Sequence, residues 1–466
     1  MNKTELEFMR SANAADSPVT PNSAILAWIA QRREAVGVQV RQIPLDQMRG
    51  WARDPTTGNV VHHSGRFFSI EGISVTTDWG GVPHWEQPII NQPEIGYLGF
   101  VAKKFDGLLH VLVQAKIEPG NINVVQISPT LQATKSNYTR VHQGKSPRYL
   151  EYFNAQRPGQ QLLLDQLQSE QGARFLRKRN RNMIVELHAD EAVEPHPDFN
   201  WMTIGQIKHL MQQDNVINMD TRTVLSGVSY GTYPAETLEG LFTLTPSTTR
   251  QRRMLNSVLV ATHSLHDFRA VISWITGLKS RYELSVDRIA LRQVSQWHDE
   301  DGTIRRADGK YFSVIGAHVM IQSREVQDWD QPMIKPAQEG LMAFIVRPIN
   351  GTYHFLVQAK LEAGNFDIIE LAPTVQCLTG NYRTGRSEYS VKYISDVLDA
   401  PRESVLFDAM QSEEGGRFFH EQNRNMIVEV GDNFPLAVDS NYCWLTLNQI
   451  LRLIEFTGNS PWFSTL

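Results

Sequence analysis

The sequence predicts an α+β protein made by tandem duplication of one α/β unit with a mixed sheet, and three observations predict it. First, the stretch "HVLVQAKIEPGN" beginning at His110 returns as "HFLVQAKLEAGN" beginning at His354. Second, each copy sets an Asn-Gly or Asp-Gly pair between two apolar, β-branched runs: Asp106-Gly107 in one, Asn350-Gly351 in the other. Such pairs suit a tight hairpin, because both central residues must take positive φ. Third, helical patterns lie on either side of these strands in both copies.

The register of the duplication holds over most of the chain. The expected division is a flexible leader over 1–22, an N-terminal repeat over 23–243 and a C-terminal repeat over 244–466. "ILAWIAQRRE" at Ile25 answers "VISWITGLKS" at Val271 as an opening helix, and Trp51 matches Trp297. "FFSIEG" at Phe67 answers "YFSVIG" at Tyr311, and "HWEQPII" at His84 answers "DWDQPMI" at Asp328. The hairpin follows, then "ISPTLQATKSNY" at Ile127 against "LAPTVQCLTGNY" at Leu371. "GQQLLLDQLQSEQGARFLRKR" from Gly159 has helical periodicity interrupted by Gly172, and "NMIVEL" from Asn182 reads as a strand. Trp201 closes the first copy as Trp444 closes the second, and the segment from about 220 to 262 reads as connector and loop.

Composition narrows the function classes. A chain of 466 residues with 41% apolar and 20% charged residues and a net charge of -5 reads as an ordinary soluble globular protein, with no surface for nucleic acid or membrane. Two cysteines, Cys377 and Cys443, are too few for a disulfide framework or a thiolate zinc site, which points to a reducing cytoplasm. The N-terminus lacks the basic start and apolar run of a signal peptide, and no apolar window is long enough to span a bilayer. Neither a dinucleotide fingerprint, a P-loop nor an H-E-x-x-H motif occurs, so no cofactor and no metal is expected. The acids of "DAMQSEEGGRFF" at Asp408 are similar to the end of a Nudix metal-binding helix. One turn earlier, where that family places arginine and glutamate, stand Ala409 and Met410, and the first copy keeps only Glu170 followed by Gln171. A Nudix-like fold is compatible with that loss, whereas metal-dependent hydrolysis is not.

Three polar groupings stand out. An indole beside an amide, Trp85 with Gln87 and Trp329 with Gln331, can stack on a base and bond its edge, or sit in a core. Strand alternation puts Gln114 and Lys116 on one face and Val111, Val113 and Ala115 on the core face, with Gln358 and Lys360 repeating the polar pair. Around the first pair lie Glu118, Thr130, Asn137 and Tyr138; Thr374, Asn381 and Tyr382 are their partners in the second copy. The third grouping is basic: Arg174 and Arg181, retained as Arg417 and Arg424, with Asn182 beside them, either pin the fold or fork onto a diphosphate.

Together "LVQAKIEPGN", "SPTLQATKSNYTRVHQGK", "SEQGARFLRKRNRNM" and "NMDTRTVLS" resemble the NDP-hexose 2,3-dehydratases of deoxysugar pathways, over nearly the whole chain. The resemblance implies halves that are Nudix-like and an enzyme that removes water across C2 and C3 of a nucleotide-linked 4-keto-6-deoxyglucose, usually carried on thymidine diphosphate (dTDP). It also implies a downstream 3-ketoreductase that traps the product. A C4 ketone already acidifies the C3 hydrogen, so the enzyme must supply a base, a donor to the C4 oxyanion and an acid. The expectation is that Lys116 or Tyr138 stabilises the oxyanion and Glu118 or His142 moves protons. Arg148, Arg174 and Arg181, with Lys145 nearby, hold the diphosphate, and Trp85 or Tyr149 stacks on the pyrimidine. The N-terminal copy is favoured because His142, Lys145 and Arg148 lack counterparts. A homodimer is the default assembly. A nucleotide-sugar-binding scaffold or residual pyrophosphohydrolase remains the alternative.

Overall fold

The computed structural model describes residues 2–135, 146–154, 157–244, 247–323, 326–378 and 391–457. The described strands form two seven-stranded sheets, one from each copy, and two five-stranded sheets. In the large N-terminal sheet the order is Gln161–Ser169, Arg179–Glu186, Gly96–Phe105, Leu108–Ile117 and Phe199–Met202, with Val125–Pro129 and Leu131–Ala133 added at the sides. Every pairing is antiparallel except that of Arg179–Glu186 with Gly96–Phe105, so the sheet is mixed, as expected. The second copy repeats this order.

The hairpin turns have the anticipated conformation, with positive φ at Asp106, Gly107, Asn350 and Gly351. Val111, Val113 and Ala115 enter the main core, while Leu112 on the opposite face packs with Leu131, Phe153 and Met183.

The small sheets are where the copies exchange chain. Val38–Ile43 of the first copy pairs with Phe312–Ile321 of the second, and Leu284–Ile289 of the second pairs with Ser69–Thr77 of the first. Each small sheet also packs against the other copy's large sheet: Ile315, Ala317, Val319 and Ile321 share one core with Phe100, Val111 and Ile127. A central cluster joins Trp51, Phe68 and Phe175 to Trp297, Phe312 and Phe418. The repeats are therefore interlocked rather than strung in tandem.

That interlock explains the glycine in the "EPGN" and "EAGN" motifs. The Gly120 amide donates to the Gly415 carbonyl (2.7 Å), and the Gly364 amide donates to the Gly172 carbonyl (2.7 Å). A Cβ on Gly120 would lie 1.6 Å from the Phe418 carbonyl oxygen, and one on Gly364 would lie 1.8 Å from that of Phe175. Only a residue without a side chain admits the opposing backbone here.

Four sequence readings need correction. The stretch from Gly159 forms no helix: Gln161–Ser169 is a strand, and a bulge between Leu162 and Leu164 breaks the two-residue alternation, which is why three leucines in a row read as helical. The acids taken for a degenerate Nudix helix follow a strand, Val405–Ser412, and lie in a turn. The expected connector holds the helices Met219–Ser226, Ala235–Leu244 and Thr249–Leu259, the last closed by a Thr248/Gln251 capping box. Where the sequence predicts a loose leader, Lys3–Asn13 is a capped helix whose Ser11 hydroxyl donates to the Leu109 carbonyl (2.7 Å). No helix among the described residues is long and apolar enough to cross a membrane.

Candidate active site

The exchange of sheets creates two related cavities, each walled by both copies. One, of about 470 Å³, has Lys116, Glu118, Gln132, Glu170, Lys178 and Asp220 from the first copy and Trp329, Gln331, Glu414 and Arg417 from the second. The other, of about 700 Å³, reverses the roles: Lys360, Glu362, Gln376, Glu413 and Glu421 face Trp85, Gln87, Gln171 and Arg174. Both volumes suit a nucleotide-sized ligand.

In the first cavity Lys116 and Glu118 end the strand Leu108–Ile117 and its turn, and both are buried. Lys116 Nζ donates to the Gln132 carbonyl (3.2 Å) and lies 3.9 Å from Glu118 Oε1. Gln132 Nε2 donates to that same carboxylate oxygen (2.9 Å), and Asn218 Nδ2 donates to Gln132 Oε1 (3.3 Å). A relay of amides thus fixes Glu118 as an acceptor beside an ammonium. Asn218 also caps the helix Met219–Ser226 by accepting from the Thr221 amide, which places Asp220 in its first turn.

The carboxyl groups of Glu118, Glu170, Asp220, Asp330 and Glu414 line this cavity, and burial dominates the electrostatics of Asp220, Glu170 and Glu414. It pushes Asp220 well above the usual carboxylate range, with Glu414, Glu170 and Glu118 adding to the shift and Lys116 opposing it. Burial raises Glu170 against the pull of Lys178 and Asn180, and pushes Glu414 up to about 7 despite Arg417. It also lowers Lys178, whose ammonium donates to the Glu94 carbonyl. Burial thus works to keep protons on Asp220, Glu170 and Glu414 while the neighbouring cations oppose it, and environments that push carboxyl groups apart in this way let acid and base coexist.

The aromatic and basic wall comes from the other copy. Trp329 Nε1 donates to Gln331 Oε1 (2.8 Å), and Gln331 Nε2 donates to the Gly416 carbonyl (2.6 Å), so the indole is braced at the rim. Arg417 lies 4.2 Å over the Phe68 ring and bonds Gln92. The group His318, Asp328 and Asp330 has metal-like spacing, but the Arg49 guanidinium bonds both Asp residues and lies 3.2 Å from His318 Nδ1, so these side chains are already engaged with a cation.

The structure regroups the residues singled out from sequence. Lys116 and Glu118 share a cavity with Trp329 and Arg417, whereas Trp85 and Arg174 share one with Lys360. The expectation of one copy supplying a whole site is corrected on that account. Several other positions are occupied with holding the fold. Thr130 Oγ1 donates to the Leu112 carbonyl and accepts from the Val101 amide (2.9 Å); Thr374 does the same with Leu356 and Ile345. Arg181 forks onto Asp165 across the strand pair (2.6 and 2.6 Å), and Arg424 forks onto Asp408 (2.8 and 2.6 Å). Tyr149 is a core ring whose hydroxyl donates to the Glu194 carbonyl (2.6 Å), and Arg148 beside it is exposed. Asn182 is fully buried within its strand, and Gln114 and Gln358 line neither cavity. Asn137, Tyr138, His142, Lys145, Asn381 and Tyr382 lie outside the described residues.

Sequence reasoning passed over Gln132, Glu170, Lys178, Asp220 and Glu414 as site residues. Lys178 reads as one of a run of solvated cations, yet it is 5% exposed. Asp220 stands in "NMDTRTVLS", a stretch read as the start of the connector and as part of the family resemblance, with no role given to the residue itself.

A family model described as NDP-hexose 2,3-dehydratase matches residues 22–228 and 268–459. The chain is 43% identical over 453 residues to a protein of Saccharopolyspora spinosa, covering 97% of this chain and 91% of that one. It is 44% identical over 436 residues to one of Streptomyces violaceoruber, with 93% of each chain covered, and 40% identical over 452 residues to one of Amycolatopsis orientalis, with 95% and 88% covered. All three are named dTDP-4-dehydro-6-deoxy-alpha-D-glucopyranose 2,3-dehydratase.

Proposed function

The chain belongs to the NDP-hexose 2,3-dehydratase family, and from that premise we infer that it is a hydro-lyase acting on dTDP-4-keto-6-deoxyglucose. It removes the C3 proton and the C2 hydroxyl to give a 2,6-dideoxy-3,4-diketo sugar for deoxysugar, and hence antibiotic, biosynthesis. The observation that carries the site is the buried Lys116–Glu118 pair aligned by Gln132 in a cavity shared by both copies.

Lys116 donates to the C4 oxygen as negative charge develops there, and Glu118, aligned by Gln132, takes the C3 proton. The ketone supplies the acidity, so no hydride need be borrowed. Arg417 forks onto the diphosphate and Trp329 stacks on the pyrimidine, both reaching the substrate from the other copy. Arg417 takes the part expected of Arg174, which lines the other cavity.

Finer readings complete the proposal. Each half is a Nudix-like unit; the mixed sheet supports this, although the acid-bearing turn does not. The copies divide near Thr243 after a leader of 22 residues, the enzyme works in the cytoplasm as a homodimer, and a 3-ketoreductase consumes its product. The test adds dTDP-4-keto-6-deoxyglucose to the purified protein with a chelator, and follows loss of one water by mass spectrometry while a ketoreductase traps the diketone. Nucleoside monophosphate as the product would indicate hydrolysis instead, and binding without turnover a scaffold.

A further inference from the structure

Elimination needs an acid for the departing C2 hydroxyl, and neither Lys116 nor Glu118 fills that role. Asp220 has the placement for it. Its residue is 3% exposed, it lines the cavity with Lys116 and Glu118, and its Oδ2 is sealed from solvent with no hydrogen-bond partner among the described residues. A charged carboxylate with a bare oxygen in such a place is costly, whereas a carboxylic acid has a proton to give. The groups facing it are Lys116 and Glu118 from the strand Leu108–Ile117 and its turn, Glu170 after Gln161–Ser169, and Glu414 after Val405–Ser412; Arg222 lies on its own helix. Burial and the three neighbouring carboxyl groups favour the neutral form of Asp220, and the Lys116 ammonium opposes them. Asn218 ties the helix to the base by capping it and by bonding Gln132, which in turn bonds Glu118.

Resting on the dehydratase reading, we propose that Asp220 is the general acid of the reaction and protonates the leaving C2 oxygen. Glu118 takes the C3 proton and the C3–H electron pair passes to the C4 oxygen as an enolate. The enolate then re-forms the C4 carbonyl, its carbon–carbon pair moves to C2–C3, and the C2–O bond breaks as that oxygen takes the Asp220 proton and leaves as water. Asp220 is now a carboxylate and Glu118 an acid. Tautomerisation of the C3 enol restores both: Asp220 recovers the proton from the C3 hydroxyl and Glu118 delivers its own to C2. No other reactant enters.

The experiment compares the full-length protein with Asp220→Asn on two substrates, dTDP-4-keto-6-deoxyglucose and its 2-deoxy-2-fluoro analogue, whose fluoride leaves with little help from an acid. On the natural substrate Asp220→Asn should lose about 100-fold or more in kcat, with KM changed less than about threefold. On the fluoro analogue, followed by fluoride release, the deficit should shrink to within about tenfold. Equal deficits on both substrates, or no deficit on the natural one, would overturn the proposal. A wild type that eliminates from neither substrate would overturn the dehydratase reading itself. If the variant does not fold, the wild type still decides. Its kcat on the natural substrate should fall on the alkaline side as Asp220 loses its proton, and that limb should be missing with the fluoro analogue; a limb common to both sinks the assignment.

Discussion

The two cavities share a plan and differ in charge, and the difference separates architecture from chemistry. Lys116, Glu118, Gln132 and Asn180 in one correspond to Lys360, Glu362, Gln376 and Asn423 in the other. Where the first has Lys178 and Glu414 the second has Glu421 and Gln171, and nothing among its described residues matches Asp220. The alignment of the acid also differs. Gln132 bonds Glu118 at 2.9 Å and is itself held by Asn218, whereas Gln376 reaches Glu362 only at 3.4 Å and its own Oε1 is buried without a partner. A shared lysine–glutamate pair is thus a feature of the fold, and its surroundings make one pair a candidate for catalysis.

The sharpest way to break this comparison is to remove the two lysines in turn. Lys116→Ala should lower kcat about 1,000-fold, the scale for removing a donor to a developing oxyanion, while Lys360→Ala should stay within about threefold. Steady-state kinetics with the trapped product decides it, and the reverse ranking would move the active site to the other cavity. Next in size is the interlock. Gly120→Ala should destabilise the protein by about 3 kcal/mol or more, because its Cβ would meet a carbonyl oxygen that cannot retreat without breaking the Gly120–Gly415 hydrogen bond. Gly364→Ala should do likewise, and denaturant unfolding of either variant at wild-type stability would show that the copies are not pinned there.

The crossing of walls gives a finer test. Trp329→Ala and Arg417→Ala belong to the second copy yet should raise KM about 10- to 100-fold in the Lys116 cavity, and Trp85→Ala and Arg174→Ala should not. This is also where sequence reading reached its limit. Repetition, hairpin turns and the polar strand pair are local and were legible: Asp106-Gly107, Lys116 and Glu118 stand where their spacing puts them. Which Trp faces which Lys depends on Val38–Ile43 pairing with the second copy's sheet, a long-range choice that leaves no local periodicity. Thr130, Arg181 and Arg424 could not be told from ligands for a different reason. A buried carbonyl or a cross-strand Asp competes for the same donors as a diphosphate, and sequence cannot say which is nearer. Asp220 stands in a stretch read as connector, and only the fold of the helix Met219–Ser226 against the large sheet brings it to the cavity.

The smallest effect concerns a pair where the copies differ without touching the chemistry. Gln126 in one large sheet donates to Ser412 Oγ (2.6 Å), and its counterpart Glu370 accepts from Ser169 Oγ (3.3 Å). Burial pushes the Glu370 carboxyl up to about 8, with Glu362 adding to the shift. A carboxyl that holds its proton more tightly folded than unfolded favours folding at acid pH and loses that advantage as pH rises from the ordinary carboxylate range towards 8. The folded chain must then either keep the proton at a growing cost or bury a charge. Glu370→Gln reproduces the first copy's amide and has no proton to lose. Its melting temperature should therefore fall less than that of the wild type between pH 6 and 9, by roughly 2 °C. Parallel thermal melts across that range check it, and identical slopes would mean that the Glu370 carboxyl is no harder to ionise in the folded chain than in the unfolded one.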